Sequence, residues 1–111
     1  MSEAFCHQRK LTAIIVSPSD VAWVAPTVSI LRDRGMKVVR LHAFGILAFV
    51  IMSNRVKTIL LHEDRIPKSW ESVRARIEIE SPNARIIIIP RGETRPATEL
   101  AAMAIAQWRS P

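Results

Sequence analysis

The chain is poor in the residues that build several common sites. Cys6 is the only cysteine in 111 residues, so no disulfide can close within the chain and no thiolate cluster can hold a structural zinc. That points to a reducing, cytoplasmic setting. Three glycines are too few for a Gly-rich phosphate loop, and none gives Ser17 the Gly-x-Ser-x-Gly frame of a nucleophile elbow. The longest apolar run, Ala43 to Met52, falls short of the about 20 residues that span a bilayer, so no membrane partner is expected. The apolar run Leu11 to Val16 stops at Pro18 and Asp20, before it reaches signal-peptide length.

What is present suits one globular domain. Hydrophobic residues make up 49% of the chain and charged residues 23%, too apolar for disorder and too short for two cores. Residues 1–10 are expected to be a disordered end, with residues 11–109 as the domain. Sixteen Lys and Arg against ten Asp and Glu leave a net charge of +6, which opens the possibility of a polyanionic partner. The cations come in ones and twos without aromatic platforms between them. The densest group, Arg32, Arg34, Lys37 and Arg40, surrounds a helix C-terminus, where cations complement the macrodipole in any case. It is the candidate surface if nucleic acid is the partner.

Apolar runs alternate with helix-period segments, the pattern of a parallel sheet with crossover helices. The runs Leu11–Ser17, Met36–His42, Lys57–Leu61 and Arg85–Ile89 read as strands. Val24, Val28 and Leu31 mark a helix with Ser19 or Asp20 as N-cap, Pro26 either kinking it or opening its regular part, and Gly35 as its left-handed C-cap. A short helix is predicted over Gly45–Asn54. Another is predicted from Pro67 with the stripe Ile66, Trp70, Val73 and Ile77, and a last one from Pro96 to Trp108 with Ala97, Leu100, Ala101, Ala104, Ile105 and Trp108 on one face. Right-handed crossovers give a three-layer α/β fold with strand order 2-1-3-4 and a C-terminal helix. Ser17, His42 and His62 then end strands along one edge, where a site should lie.

The register of the Ile14-Ile15-Val16 strand, the Arg34-Gly35 helix end before Val38-Val39, the Ile59-Leu60-Leu61 strand and Pro67 beyond it resembles the receiver domain of bacterial two-component response regulators. The resemblance covers residues 11–95 and implies a flavodoxin-like fold. It also implies an acidic pair after the first strand for magnesium and an aspartate after the third for phosphate. The acidic pair falls on Ser17 and Pro18, the acceptor on His62 or Glu63, the hydroxyl after the fourth strand near Pro90, and the family's lysine has no counterpart. Without metal and lysine, phosphoryl transfer loses its charge neutralisation. The resemblance therefore implies a degenerate, non-catalytic module of a phosphorelay that works by protein contact, with no cofactor.

Two features could still carry chemistry. Asp20 and Asp64 could form a displaced cation site, and Glu63 could stand permanently for a charged acceptor. His42 and His62, about 10 Å apart at two strand spacings, lack metal-ligand spacing, so no metal is expected. The resemblance also lacks a fifth βα unit, which leaves the isoleucine-rich fourth strand as an open edge. The interaction surface is expected on Ile46, Leu47, Phe49, Val50, Ile51 and Met52 and on the terminal-helix stripe Leu100, Ala104, Ile105 and Trp108, with a second copy as the simplest partner. The same stripe could instead fold back onto the first helix. An atypical phosphorylatable receiver is the remaining alternative.

Overall fold

The computed structural model describes residues 11–43 and 55–109, with side chains as far as residue 106. The expectations for residues 1–10, for the helix over 45–54 with its six apolar interface residues, and for the Trp108 side chain lie outside that range. Four parallel strands form one sheet in the order β2-β1-β3-β4. They are β1 (Leu11–Val16), β2 (Lys37–Leu41), β3 (Arg55–His62) and β4 (Arg85–Ile89). The helices are α1 (Val24–Asp33), α2 (Trp70–Glu80) and α3 (Ala97–Arg109). The architecture is α/β and flavodoxin-like, as predicted.

Burial follows strand position. β1 is covered on both faces from Thr12 onward, so its run of branched residues has no polar alternation. Ala13 and Ile15 face one side, where they join α1 and α3 through Val24, Val28, Leu31, Leu100, Ala101, Ala104 and Ile105. Ile14 and Val16 face the other, with Ile59, Leu61 and Ile77 of α2. Each fully buried Leu or Ile contributes about 1.5–3 kcal/mol.

α1 departs from its predicted start. Its N-cap is Trp23, not Ser19 or Asp20, and no side chain caps it. Pro26 is the third helical residue, still within the turn whose N–H groups have no intrahelical acceptor, so it neither kinks the helix nor opens it. The predicted C-terminus holds. Gly35 has φ +88°, its N–H donates to the Arg32 carbonyl at 3.0 Å and the Met36 N–H to the Leu31 carbonyl at 3.1 Å, a Schellman motif closed by the buried pair Leu31 and Met36. α2 begins three residues after Pro67, with Ser69 as N-cap.

α3 corrects the interface expectation. Leu100 and Ala104 are fully buried and Ile105 nearly so, packed against α1 and the sheet. The alanines let α3 approach closely enough for Thr58 Oγ1 on β3 to donate to the Ala104 carbonyl at 3.2 Å. These residues belong to the chain's own core and are not free to dock a partner.

Candidate functional site

The strands end level. Val16 pairs with Leu41 and Leu61, and His62 with Ile89, so the loops after β1, β3 and β4 emerge side by side. The chain leaves β1 toward β2 on one side and later occupies β3 on the other, which opens a crevice between β1 and β3. A cleft of about 600 Å³ lies there, lined by Pro18, Asp20, Trp23, His62, Asp64, Arg91, Glu93 and Arg95 among others.

Each expected site residue has a definite place. Ser17 is buried; its N–H donates to the Leu41 carbonyl at 3.0 Å and its hydroxyl to the Pro18 carbonyl at 3.1 Å. Pro18 offers no donor and no carboxylate. Asp20 is exposed at the cleft, and Pro90 is exposed where β4 ends. His62 is the last residue of β3, its side chain only 4% exposed. Its Nδ1 accepts the Asp64 N–H at 2.9 Å, which fixes the turn Glu63–Arg65 and leaves the ring proton on Nε2. His42 is exposed and His62 buried, so the two do not act as a pair. Among the described residues no group of three His, Cys, Asp or Glu could hold a metal ion.

The acidic residues at the strand ends are engaged by arginines. Glu63 Oε1 accepts the Arg91 backbone N–H at 2.8 Å. Asp64 Oδ1 accepts Arg91 Nε at 2.7 Å and Nη2 at 2.6 Å. That hydrogen bond holds the Asp64 carboxyl below its ordinary range, against an opposing effect of burial, and raises the Arg91 guanidinium. Two residues on, Glu93 accepts from the side chain and the backbone N–H of Arg95. Those bonds pull the Glu93 carboxyl down to about 2. Arg95 Nη1 also reaches the Met103 sulfur at 3.2 Å, which ties the loop to α3.

Asp20 and Asp64 therefore do not form a free carboxylate pair. The positioning role of Arg91, Glu93 and Arg95 was missed from sequence. Its one trace there is the alternating charge in Arg91-Gly92-Glu93-Thr94-Arg95, which has no register until β3 and β4 are paired. The basic group is exposed as expected. Arg32, Arg34 and Lys37 sit at the opposite edge of the sheet, where α1 ends and β2 begins, and Arg32 Nη2 lies 3.4 Å from the Val38 carbonyl.

The fold and its strand-end cleft define a flavodoxin-like α/β domain. No family model, curated protein or solved structure matches the chain, so the receiver resemblance rests on the residues quoted for it. Among the described residues no helix is long and apolar enough to cross a membrane.

Proposed function

We propose that the chain is a receiver-like signalling module of the cytoplasm, in or derived from a phosphorelay, that neither accepts nor transfers phosphate and acts by contact with a protein partner. The supporting observation is the state of the carboxylates at the strand ends. Asp64 and Glu93 are neutralised by Arg91 and Arg95, and Glu63 brackets the Arg91 backbone. A hard divalent cation needs several free oxygens, and β1 contributes only Ser17 and Pro18. The Arg91 bridge joins the loops after β3 and β4 through protein groups.

The direct test is to incubate the protein with acetyl phosphate and magnesium and weigh it intact. The expected result is an unchanged mass. A stoichiometric phosphoryl adduct would overturn the reading in favour of a phosphorylatable receiver using His62 or Glu63. A second reading follows from the exposure of Arg32, Arg34, Lys37 and Arg40, a basic surface for nucleic acid. Retention on DNA that falls steeply with salt would support it, and no retention at low salt would remove it.

A further inference from the structure

We propose that the strand-end cleft binds an oxyanion group, phosphate or carboxylate, carried by a small organic molecule, reversibly and without covalent transfer. Three observations converge on one place.

The first is His62. Its side chain is more than nine-tenths buried, its Nδ1 is spent on the Asp64 N–H, and its Nε2–H meets no acceptor among the described residues. The ring borders the cleft, so the donor is available to a ligand seated there. Nε2 itself is not enclosed, and an oxyanion seated in the cleft would accept a hydrogen bond from it.

The second is the convergence of two helix starts. Trp23 and Pro26 at the start of α1, and Pro96 and Ala97 at the start of α3, all line the cleft. α1 has no side-chain cap and no acidic residue in its first turn. Val24 N–H turns back to the Val21 carbonyl and Thr27 N–H to that of Trp23, while Pro26 has no N–H. Partial positive charge from α1 falls at this point, while at α3 Glu99 in the first turn offsets it.

The third is the charge balance around that donor. Asp64 and Glu93 are each paired with an arginine. Asp20 is exposed, where water and salt screen it. Arg91 spends Nε and Nη2 on Asp64, is 72% exposed, and keeps further N–H groups for a second acceptor. The Trp23 and Pro26 walls and a volume of about 600 Å³ leave room for an apolar body beyond the anionic group.

The inference does not rest on the function proposed above, since it concerns reversible binding and the mass measurement concerns a covalent bond. Its test is a titration of the full chain, without divalent metal, with inorganic phosphate and separately with acetate. The readout is the His62 ring-nitrogen NMR signal, with sodium chloride at matched ionic strength as the reference. The companion variant is Ala22→Asp, which adds a carboxylate at an exposed residue lining the cleft and removes no packing. A saturable shift with either anion is expected, weakened about tenfold or more in Ala22→Asp with an unchanged thermal midpoint. Response to phosphate alone assigns a phosphorylated ligand, and response to acetate a carboxylate. No saturable shift, an equal shift with chloride, or undiminished binding in the variant would overturn the proposal.

Discussion

At the scale of single residues, the site is governed by which carboxylates are free. Glu93 lies two residues from its partner Arg95, and its side chain is only 5% exposed, so the ion pair closes a local loop. Its folded value of about 2 lies below the ordinary 4.5. Between those values the unfolded chain takes up a proton that the folded chain refuses. The pair thus stabilises the fold fully above the ordinary carboxylate value, and this contribution is lost as pH falls toward 2. Asp64, lowered by Arg91, acts in the same direction, so the informative quantity is a difference. The thermal midpoint of the wild type should exceed that of Glu93→Gln by a constant margin from about pH 6 to pH 5, and the margin should close by about pH 2. A margin independent of pH would show that the carboxylate charge contributes nothing.

At the scale of elements, the strands were legible as unbroken branched runs: Leu11–Val16 because it is buried on both faces, and Arg85–Ile89 from its four isoleucines, of which only Ile89 is fully buried. The end of α1 was legible for a similar reason, since only glycine takes the positive φ at position 35 without strain. Its start was not. Ser19 and Asp20 carry the side chains that cap helices, but the chain spends them on the turn after β1 and begins α1 at an uncapped Trp23. The placement of α3 was also open in the sequence, because a stripe of alanine, leucine and isoleucine looks the same whether it meets a partner or the chain's own sheet. Burial decides it, and a substitution checks it. Leu100→Ala should cost about 2–5 kcal/mol and lower the thermal midpoint on the order of 10 °C or more. A residue presented to solvent for docking would change stability by only about 0.5 kcal/mol, and a loss that small would return α3 to the interface reading.

At the scale of the whole molecule, the position of α3 determines what can cover β4. α1 lies on one face of the sheet and leads from β1 outward to β2, while α2 lies on the other face and leads from β3 outward to β4; these crossovers have the same hand. α3 shares the α1 face. A parallel strand reached through it on the outer side of β4 would need the opposite hand, which parallel connections almost never adopt. Among the described residues no strand pairs with the outer edge of β4, Ile88 is 45% exposed there, and no proline, bulge or inward charge along Ile86–Ile89 blunts it. Beside it a groove of about 550 Å³ is bordered by Trp70, Ile86 and Ile88 and by Arg74, Glu78 and Arg85. Both signs of charge on one rim match the self-complementary demand of a twofold axis, under which the same patch must meet itself. The partner we propose for this groove is a second copy, with two β4 strands pairing antiparallel. Sedimentation of the wild type should give a dimer, and Ile88→Lys should give a monomer with nearly unchanged thermal midpoint, because the lysine stem can lie along the groove while its charge repels its twofold mate. A wild-type chain that stays monomeric up to millimolar concentration would leave β4 to a different protein, and a variant that still dimerises would place the contact elsewhere on the surface.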